Sequence, residues 1–359
     1  MLRLSRFFVL YLSLFFIFPL QAGAAVSDRF SIELYAAGLP DARSLALGDD
    51  GTVYVGTRIE GKVYAVVDSD RDGQADRKYT LAEGLSLPNG VAFYNGDLYV
   101  AEISKILRFK GIAGKLKNPP EPEIIYDRLP TNAHHGWHYL KVGMDKKLYL
   151  SIGVPCNICK PRQLLYGKII RIYPDGSDLE IVAKGIRNSV GFDWHPQTGE
   201  LWFTDNGRDR LGDDLPADEL NVLSEKGQHF GFPWCHGEAL VDPKMGTPRK
   251  PCERFEPPAW EFQAHSAPLG IHFYTGKMFP EKYQGQLFVA LHGSWDRSEP
   301  AGYKIVTIQF KNDQPEREEL FYEMEGGYQS RPVDFLQLPD GSLLFSDDKR
   351  GAIYRISWR

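Results

Sequence analysis

Past its first 25 residues, this 359-residue chain has no apolar run long enough to span a membrane. It lacks Cys-x-x-Cys-His, so no covalently attached c-type haem is expected. It has no Gly-x-Ser-x-Gly, no Walker loop and no dinucleotide fingerprint, which removes the serine-hydrolase, P-loop and nicotinamide readings. It also lacks a basic surplus. The formal charge is -5, a poor match to nucleic acid, so no nucleic-acid partner is expected. Aromatics at 13%, with 35 Gly and 24 Pro, favour a turn-rich β protein, and long helices are not expected.

The first 25 residues are a separate case. Arg3 and Arg6 precede an apolar run from Phe7 to Leu20, and Ala22-Gly23-Ala24 follows. That order matches a secretory signal, and 14 apolar residues fall short of a spanning helix. Residues 1–25 are read as a signal peptide and 26–359 as one catalytic domain, periplasmic or secreted, with no membrane span after cleavage. Loss of the two arginines takes the charge to -7. Export also suits disulfides. The four cysteines pair most locally as Cys156–Cys159 and Cys235–Cys252, the expected arrangement. A zinc site of four thiolates is the rival, disfavoured by export and by unequal spacing.

A hairpin recurs along the chain. "SLALGDDGTVYVGT" (44–57), "NGVAFYNGDLYVAE" (89–102), "YLKVGMDKKLYLSI" (139–152) and "VGFDWHPQTGELWFTD" (190–205) share strand, tight turn and apolar strand. Looser copies follow at 269–292 and 333–348. The second strands start at Val53, Leu98, Leu148, Leu201, Leu287 and Leu343, at spacings of 45, 50, 53, 86 and 56. Such units bury their faces only against one another. The expected fold is all-β: a six-bladed β-propeller of four-stranded antiparallel blades. The wide gap is assigned to a long insertion at 206–268, and "FSIELYAAGL" (30–39) is expected to complete the last blade.

Antiparallel pairing places the start of each first strand and the end of each second strand at the same end of the hairpin. One face therefore collects Arg43, Asn89, His135, Arg187, Asn188 and Arg331 with Arg58, Glu102, Asp205, His292 and Asp348. Convergent polar groups at a propeller mouth form a binding site.

"HHGWHYLKVGMDKKLYLSIG" (134–153), "GIRNSVGFDWHPQTGELWFTDNGRDRLGDDLPADELN" (185–221), "HFGFPWC" (229–235) and "SRPVDFLQLPDG" (330–341) resemble the soluble quinoprotein sugar dehydrogenases. This glucose/sorbosone dehydrogenase group uses pyrroloquinoline quinone (PQQ) and calcium. "PCNIC" and "HGSWDR" resemble its sorbosone branch. The resemblance implies oxidation of an aldose or related sugar by hydride transfer to PQQ, with His135 as general base. Neutral imidazole suits removal of a hydroxyl proton. Arg187 and Asn188 would stand beside the quinone oxygens, and Arg331 would pair with a cofactor carboxylate. His292 stands where the family has a cofactor-binding lysine, with Arg297 as a nearby cation. Asn89 is nearest to the family's substrate-side glutamine. Calcium would rest on backbone carbonyls at Gly207 and Arg208, the latter replacing a proline, and Asp218 with Glu219 would hold a structural calcium. With no haem motif, electrons would pass to an external acceptor, a periplasmic cytochrome or quinone.

Two other readings use the same face. A metal-dependent lactonase would draw ligands from Asn89, Glu102, Asn188 and Asp205. A non-catalytic propeller would bind a glycan or protein. Zinc at His134 and His138 is disfavoured because the surrounding residues have loop rather than helix chemistry. "DSDRDGQAD" (68–76) opens like a calcium loop, but its twelfth position is Tyr79 rather than glutamate.

Overall fold

A computed structural model describes residues 29–359, so the signal segment expected at 1–25 lies outside the described residues. Six four-stranded antiparallel sheets follow one another along the chain. Blade one uses Ala42–Leu47, Val53–Thr57, Val63–Val67 and Arg77–Ala82. Blade two uses Gly90–Tyr94, Asp97–Ala101, Ile106–Phe109 and Glu123–Tyr126, and blade three Leu140–Val142, Leu148–Ile152, Lys168–Ile172 and Glu180–Lys184. Blade four has Phe192–Trp194, Leu201–Asp205, Asp218–Leu223 and Trp260–Phe262. Blade five has Pro268–Phe273, Leu287–Leu291, Lys304–Lys311 and Gln314–Glu323. Pro332–Gln337, Leu343–Asp347 and Ala352–Trp358 form blade six, and Phe30–Ala37 adds its outer strand. This is the expected six-bladed propeller. Among the described residues the only helices are three single 3-10 turns.

All six second strands are buried along their whole length, because neighbouring blades cover both sheet faces. That is why they read as apolar runs rather than alternations. The tight turns follow local chemistry. At Asn95-Gly96 both residues have positive φ, 52° and 83°, matching a primed hairpin turn between paired Tyr94 and Asp97. Closure is both hydrogen-bonded and packed. Phe30 pairs with Trp358, and its ring meets Trp358 at 4.6 Å and Phe279 of blade five at 4.9 Å.

The insertion expected at 206–268 needs correction. Asp218–Leu223 and Trp260–Phe262 are the third and fourth strands of blade four, so the true insert runs between them. Two adjacent carboxylates at the start of Asp218–Leu223 disguised that strand, since buried strands seldom carry acidic residues. The insert holds a short ribbon, Cys235–His236 with Leu240–Val241. Both expected disulfides, Cys156–Cys159 and Cys235–Cys252, are formed, which rules out the four-thiolate zinc site.

Candidate active site

First strands and the ends of second strands meet around a cavity of about 340 Å³. Blade three supplies His134 and His135. His135 lines the cavity yet is only 8% exposed, and its backbone is left-handed at φ 52°. Its Nδ1 lies 2.9 Å from the Val154 carbonyl oxygen. A carbonyl only accepts, so Nδ1 carries the proton and Nε2 holds the lone pair. Burial, then Arg187 and His134, push the His135 pKa well below the usual imidazole value, so the ring is neutral at pH 7. Gly153 permits this placement. A Cβ there would lie 2.6 Å from His135 Cβ and 2.9 Å from Asn188 Oδ1. His134, its ring centroid 4.1 Å from that of His135, also lines the cavity. His138 does not face it: its two ring nitrogens are each 3.0 Å from a carbonyl, of Ser151 and Ile103.

Four arginines border the cavity: Arg43, Arg58, Arg187 and Arg331. Arg187 is 4% exposed. Its Nε and Nη2 donate to the Asn157 carbonyl and Asn157 Oδ1, its Nη1 to the Asn206 carbonyl, and its Nη2 also to Asp209 Oδ2, at 2.9–3.1 Å. One of its five N–H bonds, on Nη1, is left over. The backbone N–H groups of Arg187 and Asn188 both donate to Asp205. Arg331 donates from Nη2 to the carbonyls of Gly293 and Ser294, and lies 5.2 Å over the Tyr303 ring. Its Nε, like that of Arg58, is buried without a hydrogen-bond partner. Arg58 lies over Trp137, whose ring meets that of His135 edge-on at 5.9 Å.

The expected site residues separate into two groups. His135, Arg187, Asn188, Arg331, His292 and Gly207 line the cavity, as does Asp218. Asp218 accepts the Gly207 and Ala267 N–H groups, and burial pushes its pKa up to about 6. His292 donates its Nε2–H to Asp348, 3.0 Å from each carboxylate oxygen, while Arg43 reaches the same carboxylate at 2.9 Å. Burial opposes ionisation of Asp348, but His292 and Arg43 overcome it and hold its pKa well below the usual range.

The remainder lie elsewhere. Asn89 is 1% exposed, and its amide is consumed by Arg43, Ser44 and the His138 carbonyl, so it orients Arg43 rather than facing a ligand. Arg297 sits outside the cavity, with its donors on the carbonyls of Asp213, Ala264 and Glu299. The Arg208 side chain turns to Asp242 at 2.7 Å, which leaves only its backbone for a metal. Glu219 is buried within its strand, accepting from Gly237 N–H and Asn221. Burial pushes up the pKa values of both Glu219 and its strand partner Asp205, which share this apolar environment. The lactonase ligand set does not converge: of Asn89, Glu102, Asn188 and Asp205, only Asn188 lines the cavity. Asp68, Asp70 and Asp72 do cluster, in the turn between the two outer strands of blade one.

Sequence reasoning missed Val154, Asn157, Trp295 and His265. The last two line the cavity, and Trp295 is 69% exposed. A carbonyl acceptor such as Val154 leaves no sequence signal. Asn157 lies inside Cys-x-x-Cys, a pattern that signals a disulfide and says nothing of the residues between the cysteines.

Several known proteins are similar to this chain in sequence or in structure. An uncharacterized protein of Borreliella burgdorferi is 33% identical over 98% of this chain and 97% of its own length. The pyrroloquinoline quinone-dependent sugar dehydrogenase of Hypocrea jecorina is 26% identical, over 48% of this chain and 47% of its own. The calcium structure of the Trichoderma reesei Carbohydrate-Active Enzymes Family AA12 protein superposes with a TM-score of 0.81 at 21% identity, covering 93% of this chain and 97% of that one. The TrAA12-like sequence profile matches residues 24–358, and the chain belongs to that family.

Proposed function

We propose that this protein is an exported, PQQ- and calcium-dependent dehydrogenase of an aldose or related sugar. One observation carries the reading: a buried imidazole is fixed with its lone pair on Nε2, at a cavity bordered by four arginines. The cavity suits a tricarboxylate. Four arginines border it, and Arg187 keeps one Nη1 hydrogen uncommitted to the protein. The relatives' quinone-dependent sugar oxidation supports the same reading.

When bound, PQQ would supply the two-electron acceptor for the sugar hydride. The chain's own residues do the rest. His135 Nε2 takes the proton of the sugar hydroxyl, and the Val154 carbonyl stabilises the imidazolium that forms through Nδ1–H. The Nη1 hydrogen that Arg187 leaves uncommitted would donate to the oxygen that gains charge, and Arg331 would pair with a cofactor carboxylate. The Gly207 and Arg208 backbone would carry the calcium, and Asp218 shapes that turn by accepting the Gly207 N–H. Electrons leave to an external acceptor.

The test adds PQQ and calcium to purified apoprotein and follows reduction of an artificial dye across a panel of aldoses. Sugar-dependent dye reduction needing both additions supports the reading. Failure to bind PQQ, or lactone hydrolysis with a divalent ion alone, sinks it.

A further inference from the structure

We infer that the four-residue loop closed by Cys156–Cys159 is the element that sets the spacing of the site, and that Asn157 is its positioning residue. This rests on the roles proposed above for His135 and Arg187.

Asn157 binds two distant segments at once. Its carbonyl accepts from Arg187 Nε at 2.9 Å, and its Oδ1 accepts from Arg187 Nη2 at 3.0 Å. The same Oδ1 accepts the Asp209 backbone N–H at 2.8 Å, while its Nδ2 donates to the Asp209 carbonyl at 3.0 Å. Asp209 in turn binds Arg187 Nη2 at 2.9 Å. The guanidinium, Asp209 and Asn157 thus form one closed network.

Three residues earlier, Val154 ties in the base. Its carbonyl accepts from His135 Nδ1, and its N–H donates to the Arg187 carbonyl at 2.9 Å. Between Val154 and Asn157 lie only Pro155, with its fixed φ, and the bridged Cys156. The segment that fixes the tautomer of His135 therefore also fixes the guanidinium of Arg187. A short cross-linked span has few other conformations, and displacement by about 1 Å costs roughly a hundredfold in rate.

The choice of an amide also matters. Asn157 holds Arg187 with neutral oxygens, so Asp209 is the one carboxylate paired with it. An aspartate at 157 would keep the Oδ1 acceptor, lose the donor that meets the Asp209 carbonyl, and set a second carboxylate on the guanidinium.

The test compares wild type with Asn157→Ala, Asn157→Asp, Arg187→Ala and the double variant Cys156→Ser/Cys159→Ser. Four readouts are taken: PQQ titration, kcat, KM for sugar, and melting temperature. Asn157→Ala is expected to lower kcat ten- to a hundredfold with KM within threefold, with PQQ still bound and the melting temperature nearly unchanged. Asn157→Asp is expected to lose as much kcat. If Arg187→Ala loses activity while both Asn157 variants keep kcat within threefold of wild type, the inference falls and the proposed function stands. A fall in kcat that only parallels lost melting temperature and lost PQQ binding also overturns it. If wild type neither binds PQQ nor oxidises sugar, the functional reading has failed, and the apoprotein decides the inference separately. By nitrogen-15 NMR, the Arg187 Nη2 hydrogens, which lose their Oδ1 acceptor in Asn157→Ala, should exchange with solvent at least tenfold faster there than in wild type, and the Nε–H, which meets the Asn157 carbonyl, should do so in the cysteine variant. Equal exchange rates would overturn it.

Discussion

His135 Nδ1 lies 2.9 Å from the carbonyl oxygen of Val154, and this contact decides which imidazole nitrogen can act as a base. Burial and the neighbouring Arg187 and His134 favour the neutral ring. The proposed role of His135 as base needs that neutral form, so on this proposal kcat/KM should hold constant from pH 7 down to well below 6.5 and fall only beyond. A pH–rate profile checks this. An acid limb centred at 6.5 or above would mean that His135 titrates as an ordinary exposed histidine.

Gly153→Ala places a methyl group 2.6 Å from His135 Cβ. The overpacking costs about 1–3 kcal/mol, and both His135 and Asn188 must move. At least a tenfold loss of kcat is expected in a folded protein, with circular dichroism unchanged. Wild-type kcat would show that the base tolerates displacement.

Asp348→Asn removes the carboxylate shared by Arg43 and His292. Breaking a buried pair and leaving one charge unmatched costs about 3–5 kcal/mol. Denaturant unfolding should show a loss of that size. A loss under about 1 kcal/mol would place this pair among weak surface bridges.

Glu219 and Asp205 have folded pKa values raised by burial. The native state therefore holds protons that the unfolded chain releases, and their contribution to stability is full below about pH 4 and lost as pH rises through the folded values. Glu219→Gln removes one titrating group. In chelator-treated protein, its stability relative to wild type should climb between pH 5 and pH 8. A difference independent of pH would contradict this.

The propeller was legible because each blade repeats a turn motif and a fully buried second strand. Pairing geometry alone gathers His135, Arg187, Asn188, Arg331 and His292 on one face. Three things were not legible. The third strand of blade four carries buried carboxylates, Asp218 and Glu219, and charge argued against a strand there. Asn89 falls on the correct face, but its amide is consumed by Arg43, a contact between blades that no local pattern reports. Arg297 stands only five residues after His292 in sequence, yet its loop carries it out of the cavity onto backbone carbonyls.

Sugar oxidation with His135 as the proposed base is tested most directly by mixing an aldose with protein loaded with PQQ and calcium, without oxygen or dye, and following cofactor absorbance in a stopped-flow instrument. Wild type should show rapid reduction of the bound cofactor. His135→Ala should bind the cofactor equally well and reduce it at least a thousandfold more slowly. Reduction at the wild-type rate in that variant, or none in wild type, would contradict the claim.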